Sequence, residues 1–135
     1  MSRKVDEDFV SHVVDLLQGL GPVYARRMFG GHGIFLDGLM FGLLADRELY
    51  FKVDAVNRDS FVELGLQPFT YHKQGKPMAL SYFQAPEEAL ESLEVMSEWG
   101  NSAFAAALRA AAKKRPGKKT GKSTRRGANG RKKPA

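Results

Sequence analysis

Between Val23 and Val53 short apolar runs alternate with turns too brief for anything but chain reversal. Val23 to Phe29 reads as a first strand, Gly30-Gly31-His32-Gly33 as a turn, and Ile34-Phe35-Leu36 as a short strand. Asp37-Gly38 is a hairpin signal between apolar runs. Leu39 to Ala45 follows, apolar on both faces as a central covered strand would be. Asp46-Arg47-Glu48 turns the chain into Leu49 to Val53, where Leu49, Phe51 and Val53 alternate with Tyr50 and Lys52. Strands joined this closely pair antiparallel, because a parallel pair needs a crossover of roughly a dozen residues.

Helical patterns flank these strands. Val5, Phe9, Val13, Leu16 and Leu20 recur at helical spacing, and Val10, Val14 and Leu17 widen the stripe. Asp6, Glu7 and Asp8 suit the positive end of the helix dipole, and Gly19, Gly21 and Pro22 stop the helix. Asp54 reads as the N-cap of a second helix that carries Val56, Phe61 and Leu64 and ends at Gly65. Arg58, four residues on, is within reach of Asp54 for an exposed pair worth about 0.3–0.5 kcal/mol. Two more strands, Pro68 to Tyr71 and Met78 to Phe83, are joined by Lys73-Gln74-Gly75-Lys76. Pro86 suits the first position of a last helix, with Glu87 and Glu88 in its first turn. Leu90, Leu93, Trp99, Phe104 and Leu108 mark one long or two short helices, with Gly100-Asn101 as the candidate break.

The order is helix, three or four strands, helix, two strands, helix. The expected class is α+β: a two-layer arrangement of one antiparallel sheet covered by helices. Residues 1–112 form one domain, and a body of about 110 residues buries roughly two-thirds of its unfolded surface. Residues 113–135 read as a disordered tail. After Pro116 there is no aromatic residue, and Ala128 and Ala135 are the only apolar ones apart from Gly and Pro.

Charge divides at the same place. Lys113, Lys114, Arg115, Lys118, Lys119, Lys122, Arg125, Arg126, Arg131, Lys132 and Lys133 give the tail eleven positive charges and no negative one. Residues 1–112 hold ten basic and fifteen acidic side chains, so a chain of net charge +6 has an acidic body. The absence of Cys excludes disulfides, thiolate metal sites and Cys nucleophiles, and His12, His32 and His72 are too scattered to read as a metal site. The strongest apolar run, Leu39 to Ala45, is far short of the roughly 20 residues that span a bilayer. With no targeting segment in view, a cytoplasmic protein without membrane contact is the expectation.

The tail is the sharpest functional signal. Each phosphate that it neutralises on duplex DNA contributes about −0.9 to the slope of log affinity against log salt. Its Gly and Pro spacing presents no helical face, so the expectation is non-specific nucleic-acid contact, set against a plain solubility tail. In the body, Arg26, Arg27, Lys52, Arg58, Lys73 and Lys76 are a candidate basic patch, with a solvated face that discourages edge pairing as the plainer reading. The loop at Gly30–Gly33 offers bare amides to an anion, but Ile34 and Phe35 follow where a P-loop needs Lys, Ser or Thr and a helix. A turn or bulge is the plainer reading there. Tyr71, Tyr82, Phe69 and Phe83 have faces of the kind that stack on bases, with packing beneath helices as the plainer reading. Asp54, Asn57 and Arg58 gather at a strand-to-helix junction, where capping explains them without a ligand.

Several linked motifs carry a family resemblance. They are Arg27-Met28-Phe29-Gly30-Gly31-His32-Gly33-Ile34-Phe35, Asp37-Gly38-Leu39-Met40-Phe41 and Leu49-Tyr50-Phe51-Lys52-Val53-Asp54, followed by Asn57-Arg58 and Phe61. Pro68-Phe69-Thr70-Tyr71, Met78, Ser81-Tyr82, Pro86-Glu87-Glu88-Ala89-Leu90 and Trp99 continue them in order. Over about residues 5 to 112 the chain resembles the N-terminal domain of the TfoX/Sxy family. The resemblance implies a fold of the secretion-chaperone-like kind. It also implies kinship with regulators of natural competence that act as co-activators with the cyclic-AMP receptor protein. It carries no catalytic, metal or cofactor residues. Longer members have a second, helical domain where this chain has its basic tail. The expected protein is a non-enzymatic regulatory or adaptor module with a protein partner, in the manner of transcription machinery, and nucleic acid held by the tail. Two alternatives stand beside it. One is a ligand-binding protein or enzyme with a pocket shared by the Gly30–Gly33 loop and the Lys52/Asp54/Arg58 cluster. The other is an interaction module that forms a homodimer through an exposed strand.

Overall fold

The computed structural model describes residues 3–28, 30–73 and 76–114, with side chains for 7–28, 30–70 and 81–114. Helix α1, Arg3–Leu16, is followed by a 3₁₀ turn at Gln18–Leu20. Four strands come next: β1 Tyr24–Met28, β2 Gly31–Leu36, β3 Leu39–Ala45 and β4 Glu48–Lys52. A short helix α2, Arg58–Glu63, leads to β5 Pro68–Lys73 and β6 Lys76–Gln84. A second 3₁₀ turn at Glu87–Leu90 precedes the long α3, Leu93–Lys114. The six strands form one antiparallel sheet in the order β1-β2-β3-β4-β6-β5, so the α+β expectation holds.

The hairpins follow from the turn residues. Asp37 and Gly38 have φ of 52° and 78°, and Asp46 and Arg47 have 52° and 63°. Two successive positive φ values turn with the same hand as the flanking strands, so both reversals need only two residues. The stretch read as a turn at Gly30–Gly33 is shorter than expected. Gly31, His32 and Gly33 already belong to β2 and pair with Met28, Arg27 and Arg26. Gly31 is a strand residue without a side chain for a packing reason: a Cβ there would sit 2.0 Å from the Leu44 carbonyl oxygen.

The helices gather on one face of the sheet. Val13 and Leu17 from the N-terminal segment, Phe61 from α2, and Met96, Ala103 and Ala107 from α3 share one core with Ile34, Leu44, Phe51 and Phe83. A bulge in β3 turns Phe41 into this core, where its ring stacks on Phe51 and meets Phe104 edge-on at 5.6 Å. Trp99 packs edge-on against Phe61 at 4.8 Å. The other face carries Tyr24 stacked on Phe35, and Leu43 opposite Tyr50.

Several expectations need correction. The second helix holds only Phe61 in the core; Val56 lies in the turn before it and is 70% exposed, and Leu64 beyond its end is 57% exposed. One and a half turns cannot bury three spaced residues at once. Pro86 precedes a 3₁₀ turn rather than opening a helix. The break in the last helical stretch falls at Glu91–Ser92, and α3 runs unbroken through Gly100. Gly100 marks close packing instead: a Cβ there would stand 2.7 Å from a Leu17 methyl. Leu93 and Leu108, expected in the buried stripe, are 57% and 49% exposed, and small Ala residues take the buried positions. Lys113 and Lys114 form the last turn of α3, so the folded body continues past residue 112. Residues 115–135, for which disorder was expected, lie outside the described residues.

Candidate functional site

The junction after β4 gathers the polar cluster that the sequence singles out. Asp54 accepts at Oδ1 from the backbone N–H of Val56 and of Asn57, so its side chain closes the turn as a cap would. Its expected partner Arg58 is not the one it takes. Arg109 of α3 donates from Nε to Oδ2 at 2.5 Å and from a terminal nitrogen to Oδ1 at 2.9 Å, a two-pronged contact. Those hydrogen bonds hold the Asp54 carboxyl down at about 2, against an opposing push from burial. Asn57, buried, accepts from the Asp54 amide and donates to Lys52 O, Ser102 O and Ser102 Oγ. Four polar contacts thus tie the end of β4 to the middle of α3.

Arg58, released from Asp54, lies over the Phe83 ring at 5.4 Å. The groove beside it, about 770 Å³, runs between α2 and the strands and is lined by Val53, Arg58, Val62, Leu66, Pro68 and Phe83. Its surface is chiefly apolar with one guanidinium. Asp54 borders it with both oxygens already engaged, so the arrangement suits binding better than proton transfer.

A second concavity, about 640 Å³, lies between α1 and the β1–β2 and β3–β4 turns, where Arg27, Gly30, Gly31, His32 and Arg47 meet Glu7. It shares no residue with the Asp54/Arg58 groove. The joint pocket considered from sequence is therefore not formed. Antiparallel register is the reason: through β3, the start of β2 lies at the same end of the sheet as the start of β4, whereas Lys52 ends β4 and Asp54 follows it at the opposite end.

The body cations are dispersed. Arg26 lies over Phe35 at 5.6 Å, Arg27 faces α1, Lys52 stacks on Tyr82 at 5.2 Å and Arg58 sits on α2. Lys73 and Lys76 end β5 and begin β6, and their side chains lie outside the description. Of the aromatics, Phe83 packs under α2 against Phe61 and Phe69 meets Tyr50 edge-on. Tyr82 donates its hydroxyl to Met40 O, and burial pushes it up to about 12. Sequence reasoning missed Arg109 and Ser102, 55 and 45 residues from their partners, because no local spacing announces them. Among the described residues no three His, Asp or Glu gather as a metal site would, and no helix is long and apolar enough to cross a membrane.

One antiparallel sheet with its helices on one face, locked by a polar cluster whose carboxylate is fully engaged, defines an α+β module with separate concavities at its two ends. Residues 15–107 match the TfoX N-terminal domain, and the chain belongs to that family. It is 32% identical over 91 residues to the DNA transformation protein TfoX1 of Aliivibrio fischeri, a stretch covering 64% of this chain and 44% of that protein. It is 29% identical over 91 residues to the DNA transformation protein TfoX of Haemophilus influenzae, covering 65% and 42%. The match spans less than half the length of these relatives.

Proposed function

We propose that the protein is a non-enzymatic regulatory adaptor serving DNA transformation, the process named in its relatives. The body holds a protein partner of the transcription machinery, and the basic tail holds nucleic acid through its phosphates. The observation that carries this reading is the placement of the family match. It covers residues 15–107 of the folded body, and eleven cations without an acid begin six residues beyond its end. The groove beside Arg58 supports the protein contact, because Val62 in its wall is 49% exposed and Val56 and Leu64 flank it. Apolar exposure gathered in one place is typical of surfaces that meet a partner.

The test compares the full chain with residues 1–115, which keep every described element. Duplex DNA binding across a salt series should show a steep slope for the full chain. Loss of eight cations on truncation should flatten it by up to about 7. An unchanged affinity and slope would remove the tail's role. Pull-down from nuclease-treated and untreated lysate then separates partners held by the body from those bridged by nucleic acid. Val62→Asp should lose the first group only.

A further inference from the structure

The pocket beneath the C-terminal turns of α3 carries the ammonium groups of Lys52 and Lys114, neither of them ion-paired among the described residues. A helix of 22 residues is about 33 Å long, and the C-terminal turns of α3 reach the Lys52 end of β4. There Ala107, Ala111 and Lys114, on one helix face, close over Met40, Lys52 and Tyr82 around a space of about 490 Å³. Among the described residues neither Lys52 nor Lys114 has an ion-pair partner. Asp54 is near, but Arg109 takes both of its oxygens.

Lys52 is also held in place. Lys52 lies against the Tyr82 ring, and its carbonyl accepts from Asn57, whose amide is bonded to Ser102 of α3 as well. These contacts tie the strand end that carries Lys52 to α3. Burial first, and the charge of Lys114 second, lower the proton affinity of Lys52, while the charge of Asp54 works the other way. Two like charges across a half-dry pocket repel, and an anion between them converts that repulsion into two attractions. The carbonyl end of α3 disfavours an anion by itself. Lys114 offsets that field, and Lys52 supplies the surplus charge.

What reaches this pocket first is set by the chain itself. Directly beyond Lys114, residues 115–135 hold nine more Lys and Arg and no acid. We infer that Lys52 and Lys114 form a phosphate seat on the folded body, which takes a phosphodiester group of the DNA strand held by the basic run. This rests on the nucleic-acid contact proposed above and adds a fixed point to it. The tail alone binds wherever phosphates lie, whereas a seat in the body orients the sheet and its groove relative to the duplex.

The experiment uses the full chain and a fluorescently labelled duplex of arbitrary sequence, followed by anisotropy between about 50 and about 200 mM salt. The double variant Lys52→Gln/Lys114→Gln should lose about 0.9 from the magnitude of the log–log slope, the contribution of the one phosphate seated between them. Lys52→Arg/Lys114→Arg should keep the parent slope. Thermal melts of both variants confirm that folded chains are compared. In parallel, duplex DNA should protect Lys52 and Lys114 of the unaltered chain from acylation, read by mass spectrometry, while inorganic phosphate at the same phosphate concentration should protect them less. A Gln double variant with the parent slope, or protection confined to the tail lysines, overturns the seat and leaves the tail's role standing. A full chain with no salt-dependent affinity for the duplex overturns both.

Discussion

The carboxylate of Asp54 accepts from two nitrogens of Arg109 and from the amides of Val56 and Asn57. A group so well supplied with donors resists protonation, which is why its carboxyl titrates at about 2 rather than at its ordinary 3.8. The folded value lies below the unfolded one. The stabilisation is therefore complete above about pH 4 and is lost as pH falls through about 2. Asp54→Asn should melt at a lower temperature than the parent at neutral pH. The gap between the two should narrow as pH drops from about 4 to about 2, because the parent's carboxylate is then protonated too. A gap that stays constant across that range would show that Arg109 contributes nothing through charge.

At the scale of elements, what the sequence discloses depends on distance along the chain. The β2–β3 and β3–β4 hairpins are legible because Asp37-Gly38 and Asp46-Arg47 sit between apolar runs, and a tight reversal is a local matter. The extent of β2 is not legible. Gly31 reads as a turn residue until the Leu44 carbonyl packed against it is known. Asp54 reads from sequence as the cap of the second helix, but α2 begins only at Arg58 with Asn57 before it. Asp54 closes the preceding turn instead, and the partners Arg109 and Ser102 are fixed only when α3 docks. The buried face of α3 misleads for a related reason. Large Leu residues suggest the core, yet the helix lies so close to β3 and β4 that Ala103, Ala106 and Ala107 fill the space, and Leu108 faces water. Replacing Leu108 with Gln should therefore shift stability by less than about 0.5 kcal/mol. Ala103→Leu, which adds volume where none is free, should lower it by about 1–3 kcal/mol in chemical denaturation. The reverse ranking would mean that α3 is rotated about its axis from the position described.

Over the whole molecule, charge is divided between the body and its extension. Residues 1–115 hold thirteen basic and fifteen acidic side chains, whereas the complete chain is at +6. Near neutral pH and low salt the full chain should be retained by a cation exchanger, and residues 1–115 by an anion exchanger instead. Elution of both from the same resin at similar salt would mean that the basic run is neutralised by something carried with the protein. The division also orders the two proposed contacts. Long-range attraction to a polyanion belongs to the basic run and weakens within a Debye length of about 8 Å at physiological salt. The apolar groove beside α2 acts only on contact. A nucleic acid is thus met first and a protein partner second.

The position of α3 in the chain also governs the order of assembly. β1 to β4 pair each with the next, so the meander can zip from neighbouring residues. The apolar side of that meander, with Phe41 and Phe51, is roofed by Met96, Ala103 and Ala107, which a ribosome delivers many residues later. Until then a nascent chain leaves that aromatic surface without the cover that its last helix supplies.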